Sequence, residues 1–247
     1  MTVLSLAALL SVVSCKTTDT PVVGTALNNV TGMHDQVESR LTTAANNAVA
    51  EGKTSEALDL YSKLYAKSHT ADVTLNYAQL LRKTGKAKRA LDILEPYVNG
   101  PAGTVKDVAQ PIMINEYAAG EIETGNYDLA ETLLNKVLED KNAAPFHADA
   151  YDLLGIVLDA KGQHKEAEQS YHQALDGWKG DPTSVMNNLG LCLAAQGMFD
   201  ESLTMLRQAL IKAPHKQEIA RNIVMVDNLR KALVPTAPVS VKTPEKK

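Results

Sequence analysis

The sequence predicts an all-α fold built from repeated helical hairpins. Apolar residues recur at i, i+3, i+4 and i+7 along most of the 247-residue chain, and no alternating strand pattern of useful length interrupts them. Aromatic residues make up 4% of the chain and apolar residues 45%, a composition that favours closely packed helices of Ala, Leu, Val and Ile. Five glycines separated by 33, 40, 37 and 35 residues set the period: Gly52, Gly85, Gly125, Gly162 and Gly197.

The chain begins with an apolar stretch that ends at a cysteine. Residues 3–13 are uncharged and too few to span a bilayer, but they suit the apolar part of a secretory signal. The four residues VVSC that end at Cys15 resemble the bacterial lipobox, in which the thiol of the cysteine receives a diacylglyceryl group after cleavage. The resemblance implies a signal peptide at residues 1–14 and a lipid anchor on Cys15. Because Lys16 and not Asp follows the cysteine, the resemblance also implies that the protein is anchored at the periplasmic face of the outer membrane. An ordinary cleaved signal or an N-terminal helix is the alternative, because no positive charge precedes the apolar run.

Segments of low periodicity flank the helical body of residues 38–233. Residues 15–37 are rich in Thr, Asn, Gly and Asp and predict a flexible tether. Residues 234–247 carry three prolines and end in basic residues, which predicts a disordered tail.

The helical body divides into five units near 38–70, 71–110, 111–147, 148–182 and 183–216, followed by an amphipathic helix at 217–233. A small residue lies five positions after each turn glycine, and another lies seven positions before it. Small side chains on both helices of a pair allow the helices to approach closely. The residues after the glycines are Ala57, Ala90, Ala130, Ala167 and Ser202, and those before are Ala45, Ala78, Ala118, Gly155 and Gly190.

The pattern resembles the tetratricopeptide repeat (TPR), whose signature is W-x2-L-G-x2-Y, then A-x3-F, then P. The fourth unit matches it best, with Leu154, Gly155, Leu158, Ala167 and Tyr171 at the signature positions, and the first three units depart more. The resemblance covers about residues 38–233. It implies a TPR-type helical-hairpin solenoid of about five repeats with a C-terminal capping helix.

In the TPR family, partners bind on the concave face, which is lined by the first helix of each pair. The resemblance therefore implies a protein-binding groove composed mainly of amides and acids. Because this set lacks the ring of Lys and Arg that clamps a C-terminal carboxylate in some family members, we expect amides to bind a peptide backbone and acids to favour basic residues. A merely solvated helix face is the alternative. The groove residues are Asn76, Gln79, Asn115, Ala119, Asp149, Asp152, Ile156, Asp159, Asn187, Asn188, Leu191, Arg221 and Asn222.

The lipobox, the repeat number and the C-terminal stretches "NNLGLCLAAQGMFDESLTMLRQAL" and "ARNIVMV" together resemble the TadD family of lipoproteins from tight-adherence (Flp) pilus assembly. This resemblance implies a non-catalytic scaffold whose protein partners belong to pilus or secretion machinery. The alternative is a TPR lipoprotein adaptor that regulates peptidoglycan enzymes or outer-membrane protein assembly.

Other classes of function find little support in the sequence. The formal net charge of −4 argues against a nucleic-acid binder. The chain has no phosphate loop, no H-E-x-x-H, no G-x-S-x-G and no cysteine cluster, so we expect no catalysis, cofactor, small-molecule substrate or metal site. Cys192 lies in an apolar helix and is expected in the core. The basic stretch from Arg82 to Arg89 is expected to be a solvated turn, although it could meet an acidic partner or phospholipid headgroups.

Overall fold

The computed structural model describes the backbone of residues 22–99 and 110–233 and the side chains of residues 36–99 and 110–233. This part of the chain contains eleven α-helices and one 3-10 helix, the latter at Lys141–Phe146. The α-helices are α1 Val22–Ala50, α2 Thr54–Lys67, α3 Ala71–Lys83, α4 Ala87–Val98, α5 Pro111–Thr124, α6 Tyr127–Glu139, α7 His147–Ala160, α8 His164–Gly177, α9 Thr183–Ala195, α10 Phe199–Lys212 and α11 Gln217–Leu233.

The first ten helices form five consecutive pairs, and each pair packs against the next. The links between neighbouring pairs are contacts of α2 with α3, α4 with α5, α6 with α7 and α8 with α9, while α11 packs on α9 and α10. The predicted fold class is therefore confirmed: the described part of the chain is an all-helical solenoid of five hairpins closed by the helix α11.

Left-handed glycines make the turn inside each pair. The five turn glycines have φ between 70° and 85°, a region that other residues enter only with strain. Gly125, for example, caps α5 with its amide donating to the carbonyl of Ile122 at 3.0 Å. The glycine period in the sequence thus marks the places where one helix ends and the chain reverses.

Small residues bring the two helices of a pair into close contact. A Cβ atom on Gly190 of α9 would lie 2.7 Å from Cγ of Leu206 on α10. Ser202, also on α10, is fully buried and its Oγ donates to the carbonyl of Gly190 at 2.5 Å. The small-residue pattern therefore reflects helix packing inside each hairpin.

The helix α11 covers the apolar end of the fifth pair. Its residues Ile219 and Val226 are at most 1% exposed and pack with Met186, Phe199 and Leu203. Without α11 this end of the core would face water.

The outer side of α11 is partly apolar. Exposed apolar side chains on this helix are Val224, Met225, Leu229 and Leu233. The surface of α11 that faces away from the fifth pair therefore includes exposed apolar side chains.

The flexible tether predicted for residues 15–37 is wrong for residues 22–37, which belong to α1. Apolar residues recur at positions 23, 27, 30, 37 and 41, a spacing close to the helical period that the many Thr and Asn residues obscure. The predictions for the signal peptide at 1–14, the lipidated Cys15 and the tail at 234–247 lie outside the described residues. No helix among the described residues has the length and apolarity needed to cross a membrane.

Candidate functional site

The first helices of the second to fifth pairs and the closing helix α11 contact one another along the array. The contacts join α3 to α5, α5 to α7, α7 to α9 and α9 to α11. These five helices therefore share one surface, which we call the first-helix face. All thirteen groove residues predicted from the TPR resemblance lie on these five helices.

A pocket of about 310 Å³ opens on the first-helix face where α3, α5 and α7 meet. We call it the central pocket. Five predicted groove residues line it, namely Gln79, Asn115, Ala119, Asp149 and Asp152. Five further lining residues were not predicted, namely Arg82, Lys83, Ile112, Glu116 and Leu153.

An ion-pair network forms one edge of the central pocket. The Arg82 guanidinium of α3 donates from Nε to Oε1 of Glu116 at 2.7 Å and from Nη1 to Oε1 of Glu123 at 2.7 Å, both on α5. The Glu116 side chain is 8% exposed, and burial raises its pKa although Arg82 opposes the rise. The network joins two neighbouring repeats, and in it the single positive charge of Arg82 pairs with two carboxylates.

Asn115 contributes an acceptor that nothing in the described part of the chain satisfies. The residue is 6% exposed, and its Nδ2 donates to the carbonyl of Phe146 at 3.0 Å. Its Oδ1 is buried without a hydrogen-bond partner. An unpaired buried acceptor costs about 1–3 kcal/mol, so a donor supplied to this atom would be favourable.

Two carboxylates from α7 complete the central pocket. Asp149 is exposed, and desolvation of its carboxyl raises its pKa, whereas Asp152 is half-buried, and burial together with the charge of Asp149 raises its pKa to about 6. Nδ2 of Asn188 on α9 donates to Oδ1 of Asp152 at 3.0 Å, which only partly offsets that rise. Neither carboxylate has an ion-pair partner among the described residues.

A smaller pocket of about 140 Å³ adjoins the central pocket toward the N-terminal repeat. It contains the predicted residues Asn76 and Gln79, with Tyr61 and Asn46 on its other side. The Tyr61 hydroxyl donates to Oδ1 of Asn46 at 2.5 Å. The two pockets together are therefore lined by residues of α1, α2, α3, α5 and α7.

The remaining predicted residues lie outside both of these pockets. Nδ2 of Asn222 on α11 donates to Oδ1 of Asn187 on α9 at 2.8 Å, Ile156 and Leu191 are half-buried, and Arg221 is exposed.

Asp159 is engaged inside its own repeat. Its carboxylate lies 2.8 Å from Nδ1 of His164 and accepts from the Tyr171 hydroxyl at 3.0 Å. Of the three acids expected to attract basic residues, only Asp149 and Asp152 line the central pocket.

The unpredicted lining residues share helix faces with predicted ones. Arg82 follows Gln79 by three positions and Ile112 precedes Asn115 by three, the spacing of neighbours on a helix surface. Residues three positions from a predicted groove residue could therefore have been added to the prediction, because the pocket includes more positions of each helix than the family pattern names.

Cys192 is a core residue, as predicted. It is 1% exposed, its Sγ donates to the carbonyl of His164 at 3.2 Å, and burial raises its pKa to about 12. The thiol is therefore protonated and unreactive at neutral pH.

Two other sequence features can be placed. In the basic stretch, Arg82 belongs to the ion-pair network, whereas Lys83, Lys86, Lys88 and Arg89 are exposed. Within the described residues, no three His, Cys, Asp or Glu side chains come together in a group that could hold a metal ion.

Comparison with known families identifies the repeats. One tetratricopeptide-repeat family model matches residues 110–179 and a second matches residues 183–213. The chain thus carries TPR repeats, and its fold is a TPR-type helical solenoid. A search of curated protein sequences finds no match.

Solved structures share the fold at low sequence identity. The TPR protein TTC0263 of Thermus thermophilus aligns with a TM-score of 0.64 and 17% identity, over 77% of this chain and 99% of that chain. A chain of the APC/C hetero-tetramer Cut9–Hcn1 aligns with a TM-score of 0.60 and 16% identity, over 78% of this chain and 40% of that chain. A TPR protein from Parabacteroides merdae aligns with a TM-score of 0.51 and 16% identity, over 78% and 73% respectively.

Proposed function

We propose that this protein is a non-catalytic TPR scaffold that binds a segment of a partner protein on its first-helix face. The central pocket carries the proposal. Three consecutive repeats build it, and its lining includes Asn115, whose buried Oδ1 is unpaired, and two carboxylates without ion-pair partners among the described residues. A peptide segment carries backbone N–H groups and polar side chains, and these are the hydrogen-bond donors that such acceptors bind.

The best arrangement of reactive side chains argues against catalysis. Cys192, His164 and Asp159 are near one another, but the Cys192 thiol donates to the backbone carbonyl of His164 and not to its imidazole. A buried thiol with a raised pKa is a poor nucleophile. We therefore assign this cluster to packing between α7, α8 and α9.

Site-specific photo-crosslinking in the native cell tests the binding face. A photoreactive residue is placed at Gln79 or Leu191 on first helices, and at the exposed Lys165 or Lys212 on second helices as matched controls. We expect partner adducts from Gln79 and Leu191 and few from the controls. Adducts that form only from Lys165 and Lys212 would place binding on the opposite side of the array.

The sequence further supports a lipoprotein of the outer membrane that faces the periplasm. We propose that residues 1–14 are removed and that Cys15 carries the lipid, since VVSC resembles a lipobox. Two or more acyl chains give stable anchoring. Metabolic labelling with palmitate should mark the wild-type chain and not Cys15→Ala, and label that persists in this variant would refute the anchor.

We also propose that the partners belong to a pilus or secretion apparatus of the Tad/Flp type. The combined resemblance of the lipobox, the chain length with about five repeats, and the C-terminal stretches to TadD lipoproteins supports this choice. Affinity capture from membranes with mass spectrometry tests it: co-purified secretin or other pilus components would support it. Captured peptidoglycan enzymes or outer-membrane assembly factors would favour an adaptor role.

A further inference from the structure

We infer that the central pocket takes the side chain of a lysine or arginine from the partner protein, with Oδ1 of Asn115 and the carboxylates of Asp149 and Asp152 as its acceptors. This inference rests on the proposed function, because it names the chemistry of the residue that anchors the partner on the first-helix face. The inference names fewer acceptors than the sequence predicted, because the Asp159 carboxylate already accepts from the Tyr171 hydroxyl.

Of the three acceptor groups, Asp152 accepts from Asn188, whereas Oδ1 of Asn115 and the carboxylate of Asp149 have no donor among the described residues. Oδ1 of Asn115 is buried without a partner in the described part of the chain, and its amide cannot turn toward another donor without losing the bond to the Phe146 carbonyl. Desolvation raises the pKa of Asp149, an exposed residue, and of the half-buried Asp152, and neither carboxylate forms an ion pair within the described residues. A cationic donor would satisfy the amide oxygen and compensate the carboxylates together.

The charge of the site selects a cation over an anion. Arg82 is a half-buried cation at this edge, but its three guanidinium nitrogens already donate to Glu116 and Glu123. The pocket and its network hold four carboxylates and two basic groups, a formal charge of −2: Glu116, Glu123, Asp149 and Asp152 against Arg82 and Lys83. A partner's carboxylate would add to this negative charge and find, among the residues that line the pocket, only the exposed Lys83 as a free counter-ion.

The size and the apolar wall of the pocket also suit a long basic side chain. Its volume of about 310 Å³ is at the lower limit for small-ligand pockets and exceeds the needs of a small polar group. Ile112, Ala119 and Leu153 offer apolar surface beside the acceptors. The methylene stem of Lys or Arg packs on such surface while its head group reaches polar atoms.

Peptide binding to the full chain tests the inference. The probes are acetylated and amidated pentapeptides, Ala-Ala-X-Ala-Ala, in which X is lysine, arginine, norleucine or glutamate. Two-dimensional NMR follows the side-chain amide of Asn115, and the titration gives the Kd. We expect the lysine or arginine peptide to shift this amide and to bind about tenfold more tightly than the norleucine peptide, with no such shift from the glutamate peptide.

Variants locate the effect. The double substitution Asp149→Asn with Asp152→Asn should abolish the advantage of the basic peptides, and Asp159→Asn, which changes an acid outside the pocket, should preserve it. Equal binding of lysine and norleucine peptides to the wild-type chain, or binding by none of the four, would overturn the basic anchor. So would an undiminished advantage in the double variant.

Two further readouts separate the alternatives. If crosslinks from Gln79 and Leu191 persist while lysine and norleucine peptides bind alike, the binding face stands and the basic anchor is wrong. If basic peptides bind more tightly after removal of residues 234–247, which include Lys242, Lys246 and Lys247, the chain's own tail occupies the pocket and the assignment to a partner is overturned.

Discussion

A Cβ atom placed on Gly155 would lie 2.5 Å from Cε1 of Tyr171. The two residues face each other across the hairpin of α7 and α8, and the Tyr171 ring is 2% exposed with its hydroxyl bound to Asp159. The ring therefore has little freedom to move away. This close contact requires glycine at position 155, in the same way that Leu206 requires glycine at position 190 in the fifth unit.

Gly155→Ala should destabilise the fold by about 1–3 kcal/mol, because overpacking against Tyr171 outweighs the roughly 1 kcal/mol of helix propensity that alanine adds. Chemical denaturation followed by circular dichroism measures the difference. Gly177→Ala is the matched control, since the nearest atom to its new Cβ is 3.4 Å away on Ala148. We expect that control to be as stable as wild type or slightly more so. A Gly155→Ala protein of wild-type stability would show that the hairpin tolerates a wider separation.

Arg82→Met should cost about 3 kcal/mol of unfolding free energy, because it leaves the buried Glu116 carboxylate without its cation. Thermal or urea unfolding at pH 7 measures the loss. Lys161→Met provides the control: Lys161 also pairs with two carboxylates, Asp128 and Glu131, but at a more exposed site, and we expect only a small effect. Equal losses in the two variants would mean that burial of Glu116 adds nothing to the network.

The fold could be predicted from the sequence because its signal is repeated five times. One glycine with φ near 75° or one alanine says little, but glycines and small residues at matching places in five units indicate hairpins of one kind. The start of α1 was missed because Thr, Asn and Gly residues interrupt the apolar residues of 22–37, and their apolar spacing is weak evidence by itself. The 3-10 helix at Lys141–Phe146 was also missed, since no repeated pattern marks it.

The site was predictable only in part. The family positions on the first helices predicted Asn115 and Asp152, both of which line the central pocket. The face on which such a residue lies depends only on its position within one helix, which the sequence shows. They did not locate the pair of Arg82 with Glu116, because its partners are 34 residues apart and meet only through the packing angle of α3 on α5. Burial, which leaves Oδ1 of Asn115 unpaired and raises the pKa of Asp152, likewise follows from the packing of neighbouring repeats.

Asp152→Asn should stabilise the protein at neutral pH. The folded-state pKa of Asp152 is raised from 3.8 to about 6, so ionising this carboxyl costs free energy in the folded state. The cost is absent below about pH 4, grows between pH 4 and 6, and is constant above that range. It is on the order of 2–3 kcal/mol at pH 8 for a shift of this size, and Asn removes it while still accepting from Asn188.

Unfolding measured at pH 4 and pH 8 checks the sign of this effect. Asp128→Asn is the control: Lys161 lowers the pKa of that exposed carboxyl, so its substitution should not stabilise the protein at either pH. A gain from Asp152→Asn that is the same at pH 4 and pH 8 would rule out ionisation as its cause.

Truncation of the C-terminus should separate α11 from the residues that follow it. A chain that ends at Leu233 retains Ile219 and Val226 against Met186, Phe199 and Leu203, so we expect its Tm to stay close to that of the full chain. A chain that ends at Lys216 loses α11 and exposes the apolar end of the fifth hairpin, which should lower the Tm by several degrees and promote aggregation. Differential scanning calorimetry and light scattering on the two proteins measure both effects. If both truncated chains melt and scatter alike, α11 does not cap the array, and its burial of Ile219 and Val226 contributes little to stability.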